Sequence, residues 1–327
     1  VFDMCYDLTS ITFPAGIKSI PSYAASYLTN LAEIKIPEGI EEVQDYAITG
    51  CEAITHIDLP STLKVVGTSA FEGVTLDELT IPANVMSLGQ NAFGSYSSIP
   101  MRKLTIADCE SELQIGYSPL GIRPIEEVYI GRDISSSLDF SYEATTKVTT
   151  GGYMTRLIDF NYGMPALTEV NLHEGLEYIG ESAFYQSMLL TELTIPSTVT
   201  TIDKYALSEI YNLETLIFKD GDKPLEFSES PFTYTVPKTI YLGREVTGNR
   251  LTFDASLCDN ITFGPGIREI DPVLFTEARN ITEVNVLAVE PPVLDDASFP
   301  SVVYSRATLY TLSLIHISEP TRRSYIS

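Results

Sequence analysis

The sequence predicts a solenoid of stacked, parallel-strand coils, and three observations carry that prediction. A block of about 23 residues recurs along the chain, each block opens on alternating apolar and polar residues, and several close on an Ala-Phe pair. The recurrence is legible directly: LTSITFPAGIKSI from Leu8, LAEIKIPEGIEEV from Leu31, ITHIDLPSTLKVV from Ile54 and LDELTIPANVMSL from Leu76. LTEVNLHEGLEYI from Leu167 and LTELTIPSTVTTI from Leu190 continue it. The marker prolines Pro14, Pro37, Pro60 and Pro82 are spaced 23, 23 and 22, and His173 and Pro196 fill the same slot 23 apart. A period of this length falls in the leucine-rich repeat range and is shorter than ankyrin or helical-pair repeats.

Each element of the block has a physical reading. The opening L-x-x-I-x-I has period two, so it is a short strand with one buried face. Proline ends the strand because it has no N–H to give a ladder. A second apolar pair follows, three apart, as in Ile40 and Val43 or Leu63 and Val66. The Ala-Phe pairs come next: Ala70–Phe71, Ala92–Phe93 and Ala183–Phe184, with Tyr46–Ala47 and Tyr205–Ala206 as looser versions. Small Ala admits a close backbone, and Phe fills the interior between coils. No block can bury its own apolar face, so neighbours must stack.

A longer repeat lies above the short one. LTIADCESELQIGYSPLGIRPIEEVYIGRDI from Leu104 matches LIFKDGDKPLEFSESPFTYTVPKTIYLGREV from Leu216 at an offset of 112, pairing Asp108 with Asp220, Gly131 with Gly243 and Arg132 with Arg244. Between them, residues 134–166 are read as an extended variant coil or a hairpin bulging from the array, with a weak strand signal at Leu157–Phe160. The terminating coil spans about residues 281–311; the double proline Pro291–Pro292 stops the pattern, and Val302–Tyr310 is read as a last strand. From Leu312 the text LSLIHISEPTRRS breaks every upstream pattern and resembles a translated transposon end joined to a sequencing adapter. Residues 312–327 are therefore set aside as non-native read-through. The chain starts at Val1 without an initiator Met, so it is read as part of a larger product. The domain expectation is one solenoid of about 12 coils over residues 1–311.

The consensus L-x-x-I-x-I-P-x-x-I-x-x-I-x-x-x-A-F resembles the BspA-like leucine-rich repeats, a family of bacterial surface proteins also expanded in some protozoan parasites. The resemblance covers nearly all of Leu8–Tyr310. It implies a right-handed, curved solenoid with a parallel sheet on the concave face, and short strands, turns and 3-10 segments on the convex side. It also implies export and adhesion to host matrix proteins, epithelium or other bacteria.

In such a solenoid the polar strand positions line the concave sheet. The candidate ligand-binding residues there are Glu33, Lys35, His56, Asp58, Glu78, Lys103, Glu127, Tyr129, Glu169, Asn171, Glu192 and Tyr241. Along the whole series of strand positions seven acids face two lysines, so the face is expected to be an acidic stripe that steers toward basic patches on a protein partner. Tyr129 and Tyr241 hold equivalent places in the duplicated blocks and are the aromatic candidates.

Other functions find no support in the residues. Net charge is −24, which argues against a phosphate-backbone ligand, and every apolar run is too short to span a bilayer. His56 and His173 lie about five coils apart, too far for a shared nucleophile–base site. G-x-S-x-G, the P-loop and H-E-x-x-H are absent. Cys5, Cys51, Cys109 and Cys258 form no C-x-x-C, so neither a disulfide framework nor a zinc site is expected. Asp220–Asp222 and Asp295–Asp296 do not match a calcium loop. No catalytic residue, cofactor or metal is therefore assigned. The expected function is a non-catalytic, surface-displayed binding scaffold. The alternative is a structural spacer beside an active domain elsewhere, and a carbohydrate-binding or hydrolytic module is disfavoured by the absence of Trp.

Overall fold

A computed structural model describes residues 2, 5–158, 163–248, 255–270, 275, 278–290, 292–294 and 299–311. The segment 312–327, set aside above, lies outside the described residues, as do Pro291 and Asp295–Asp296. The chain is a parallel-strand β-solenoid of about 12 turns. It divides into two compact units, Val1–Tyr162 and Gly163–Ser327.

In the first unit the opening strands are β1 (Ser10–Thr12), β2 (Glu33–Lys35), β3 (Glu78–Ile81), β4 (Met101–Ile106), β5 (Ile125–Arg132) and β6 (Lys147–Tyr153). β1 pairs with β2, and β3, β4, β5 and β6 lie side by side in chain order, all parallel. Register follows from the repeat: Ser10 faces Glu33 and Thr12 faces Lys35, one period on. Inward residues Ile11, Ile34, Ile57, Leu79, Leu104, Val128 and Val148 form one buried column. The second apolar pair of each block is itself a strand. Ser19–Ile20, Glu42–Val43, Val65–Val66, Ser87–Leu88 and Gln114–Ile115 form a second five-stranded parallel sheet.

The second unit repeats the plan with β7 (Glu169–Asn171), β8 (Glu192–Ile195), β9 (Thr215–Phe218), β10 (Thr239–Leu242), β11 (Asn260–Phe263), β12 (Glu283–Val286) and β13 (Thr308–Thr311). β8 to β13 make one parallel sheet in chain order. Its second sheet includes Tyr178–Ile179, Thr201–Ile202, Leu225–Phe227 and Val246–Gly248. Here the core is more aromatic: Phe218, Phe227 and Phe232 meet edge to face, as do Phe263 and Phe275.

Within residues 134–166, read above as an extended variant coil or a hairpin, β6 pairs in parallel with β5 as a coil does. One extra residue is absorbed as a register shift between Ile130 and Arg132. Within Val302–Tyr310, only the end is a strand. Ser301–Arg306 is a short α-helix that buries Val303, and β13 starts at Thr308. Pro300 sits at the helix N-cap, where its missing N–H costs no ladder bond.

The turns between strands also form a ladder. Ile48 N–H donates to Ala70 O at 2.8 Å, Phe71 N–H to Ala92 O at 2.8 Å, and Phe184 N–H to Ala206 O at 2.8 Å. The residue before each Ala is left-handed: Tyr46, Ser69, Asn91, Ser182 and Tyr205 have φ between 50° and 58°. Ala and Phe of the pair are buried, and Phe71 stacks on Phe93 at 4.9 Å. At strand entries asparagine ties adjacent coils, with Asn30 Nδ2 donating to Tyr6 O at 2.9 Å and Asn212 Nδ2 to Met188 O at 2.6 Å.

Candidate binding face

The first polar position and its partner two residues on stand out from each strand, so the pleat alone sets the face. On the first unit this face carries Ser10, Thr12, Glu33, Lys35, Glu78, Thr80, Lys103, Thr105, Glu127 and Tyr129. β6 adds Lys147 and Thr149, which the expected insert had hidden. Register places Glu78 beside Lys103, Lys103 beside Glu127, and Glu127 beside Lys147. Arg102 also pairs with Glu78 and reaches Asp77 at 3.5 Å. Opposite charges on neighbouring strands are mutually favourable. Across β3 to β6 the face is thus charge-compensated, and the expectation of an acidic stripe is corrected there.

His56 and Asp58 fall in a coil to which no strand is assigned, although Ile57 between them is buried. Their side chains are 73% and 93% exposed, and His56 Nε2 lies 3.1 Å from Asp58 Oδ1. They face solvent as predicted but without a ladder to fix them.

The second unit is different. Its face carries Glu169, Asn171, Glu192, Thr194, Thr215, Ile217, Thr239, Tyr241, Asn260, Thr262, Glu283 and Asn285, with Thr308 and Tyr310 added by β13. None of these is Lys or Arg. Register runs Glu192, Thr215, Thr239, Asn260 and Glu283 in one row, and Thr194, Ile217, Tyr241, Thr262 and Asn285 in the next. Side-chain amides fix two of the acids: Asn171 Nδ2 donates to Glu169 Oε1 at 2.7 Å, and Asn260 Nδ2 to Glu283 Oε2 at 2.9 Å.

Tyr129 and Tyr241 are held rather than free. The Tyr129 hydroxyl donates to Asp108 at 2.9 Å, and the Tyr241 hydroxyl to Asp220 at 2.6 Å. Burial, then the hydrogen bond and charge of Asp220, push the Tyr241 phenol up to about 12. The Tyr129 phenol is raised in the same way, by burial first and then by the hydrogen bond and charge of Asp108. Glycines make room for both latches. A Cβ at Gly151 would stand 2.3 Å from the Tyr129 hydroxyl oxygen, and one at Gly264 would stand 2.5 Å from Asp220 Oδ1.

Behind each latch lies a residue whose role the sequence hides. Arg132 and Arg244 are 0% and 1% exposed. Arg132 Nη1 donates to Ala83 O at 3.0 Å and Nη2 to Pro82 O at 3.2 Å. Arg244 does the same two coils back, to Ser197 O at 2.6 Å and Pro196 O at 2.8 Å. Each guanidinium thus satisfies carbonyls at a strand-ending proline slot. Burial lowers both from the ordinary guanidinium value, while Cys109 beside Arg132 and Glu174 near Arg244 act against it. The matching Arg at an offset of 112 was the available signal, but nothing in a sequence announces that a charge is buried.

Among the described residues no group of three or more His, Cys, Asp or Glu side chains is placed to hold a metal ion, and no helix is long and apolar enough to cross a membrane. Cys51 and Cys258 are buried, and burial pushes the Cys258 thiol up to about 12.

Comparison with known proteins places these coils. The chain is similar to a leucine-rich repeat protein from Bacteroides ovatus at 18% identity, covering 94% of this chain and 85% of that one, with a TM-score of 0.33. It is similar to a leucine rich cell surface protein from Faecalibacterium prausnitzii at 17% identity, covering 80% of this chain and 61% of that one, with a TM-score of 0.28. The pneumococcal vaccine antigen PcpA is similar at 16% identity, covering 95% and 90%, with a TM-score of 0.32. No curated protein sequence matches. The pattern of the BspA type leucine rich repeat region matches six copies over residues 1–114 and 158–282, well over half of the chain. With the repeat, the parallel ladders and the buried columns already in place, the chain belongs to the BspA-type leucine-rich repeat family.

Proposed function

We propose that this chain is a non-catalytic scaffold, displayed outside the cell, that binds a protein partner through the strand face of its second unit. The observation that supports this reading is the contrast between the two faces. On the first unit acids and lysines alternate on neighbouring strands, whereas the second offers Glu169, Glu192 and Glu283 without a Lys or Arg at any strand-face position. Uncompensated charge acts over about 8 Å at physiological ionic strength, and it steers complementary partners. Tyr241, fixed by Asp220, presents an aromatic ring at little further entropic cost, as recognition anchors do. Repeats of this family are typically non-catalytic, and family membership supports a binding role. The partner class that fits is a matrix or cell-surface protein with a basic patch.

The test is binding of the purified chain to an immobilised panel of matrix and epithelial-surface proteins. A panel protein is expected to bind, and Tyr241→Ala is expected to raise the dissociation constant by about ten-fold or more, the range of an interface anchor. Failure of every panel member to bind, or binding unaffected by Tyr241→Ala, moves the function off this face.

A further inference from the structure

A second surface is built on the turns of the second unit rather than on its strands. Several coils have a second left-handed position, and in some of them its N–H is bonded to the next coil. In the first unit this column holds Gly50, Gly73 and Gly121, with Gly50 N–H donating to Glu72 O and Gly73 N–H to Gly94 O. Tyr27, which opens the column, folds its ring against Gly50. In the second unit the equivalent ladder runs from Gln186 N–H to Ser208 O and from Glu209 N–H to Thr233 O. There the column is Gln186, Glu209 and Tyr234, at φ of 55°, 59° and 60°. Glycine takes this conformation without strain and residues with side chains do not. Three successive coils therefore keep side chains where glycine is the easier choice.

Those side chains and their neighbours form one cluster. Gln186 Nε2 donates to Glu209 Oε2 at 2.9 Å, and the Tyr185 hydroxyl donates to Glu209 Oε1 at 3.0 Å. The Tyr211 hydroxyl bonds the same carboxylate. The bond from Gln186, followed by those from Tyr185 and Tyr211, holds the Glu209 carboxyl below its ordinary range, so it is ionised at neutral pH. A carboxylate has about four acceptor sites, so three donors fix it and still leave room for another. Around it, Tyr211 is 51% exposed and Tyr234 63% exposed. Fixed negative charge beside exposed aromatic rings matches one chemistry better than others, a planar cation. Guanidinium both donates to carboxylate and stacks on aromatic faces. The neighbouring turn already shows a cation over such a ring, with Lys204 Nζ 4.8 Å from the Tyr205 ring centroid.

We propose that Glu209, Tyr211 and Tyr234 form a binding site for an arginine side chain of a partner protein. The site is separate from the strand face and does not depend on it. Met188 lies in the turn of Gln186, its N–H donating to Gln186 O at 2.8 Å, and its exposed side chain supplies the methyl probe. The experiment is a titration of the full chain, labelled with carbon-13 at its methionine methyl groups, with the peptide acetyl-Gly-Arg-Gly-amide. Its citrulline counterpart has the same shape without the charge. The arginine peptide is expected to shift the Met188 resonance saturably. Citrulline in its place, or the variant Tyr234→Ala, is expected to weaken the effect by about two- to five-fold, the scale of one exposed cation–π contact. Tyr234→Phe, which keeps the ring, should titrate like the parent, and so should Glu192→Gln on the strand face. A Met188 resonance unmoved by the arginine peptide overturns the proposal, as does an equal response to citrulline. Full binding by both Tyr234→Ala and Glu209→Gln does the same.

Discussion

At the scale of single residues, the buried arginines and the latched tyrosines set the duplicated blocks apart from the ordinary coils. Arg244 donates to two carbonyls that would otherwise face the interior. Replacing it with Met keeps the bulk but removes both donors, and each unpaired buried carbonyl costs about 1–3 kcal/mol. Arg244→Met is therefore expected to lower the urea midpoint without changing the slope, and an unchanged midpoint would refute the clamp role. Tyr241 adds a pH dependence whose sign is fixed. Its phenol titrates at about 12 in the folded chain against 10.0 for the ordinary group. Its stabilising contribution is complete below pH 10 and disappears as pH rises toward 12. In Tyr241→Phe the decline of stability across that window should be shallower, as read by thermal melts at stepped pH. An identical decline in both proteins would show that the hydroxyl–Asp220 bond does not form.

At the scale of elements, glycine spacing controls how closely coils stack. Gly67, Gly89 and Gly116 follow successive short strands, and a Cβ on Gly116 would lie 2.5 Å from Gln90 N and 2.8 Å from Gly89 C. Backbone cannot swing aside as a side chain can, so Gly116→Ala should destabilise by about 1–3 kcal/mol. A variant that melts with the parent would contradict that packing. The strands themselves were legible because L-x-x-I-x-I states both the period and the buried face; the His56–Asp58 coil has no assigned strand, and Ser301–Arg306 is a helix where a strand was read. β6 escaped notice because Thr150 faces inward where the neighbouring coil has Ile130. The left-handed turn residues were not legible, since Ser69 or Glu209 takes that conformation only because the next coil's carbonyl receives its N–H. The charge pattern of the face was half legible. Acidic positions could be counted, but which lysine sits beside which glutamate required Lys147 and the register.

At the scale of the whole molecule, each unit is a one-dimensional stack in which coils touch only near neighbours, so damage should remain local. Phe71 is fully buried and stacks on Phe93. Phe71→Asp places an unpaired charge between coils at a cost above about 4 kcal/mol. Hydrogen exchange should accelerate across residues 54–93 while the amides of β8 to β11 in the second unit stay protected. Uniform loss in both units would instead indicate one cooperative block. The functional counterpart of this locality is that binding can be confined to one face of one unit. The most direct measurement is the association rate of a bound panel protein at low and physiological salt, for the parent and for Glu169→Gln/Glu192→Gln/Glu283→Gln. Electrostatic steering predicts an association rate about ten-fold lower in the triple variant at low salt, with most of the salt dependence gone. A rate that is independent of salt, or that falls equally with Glu78→Gln on the first unit, would contradict binding through the second unit's strand face.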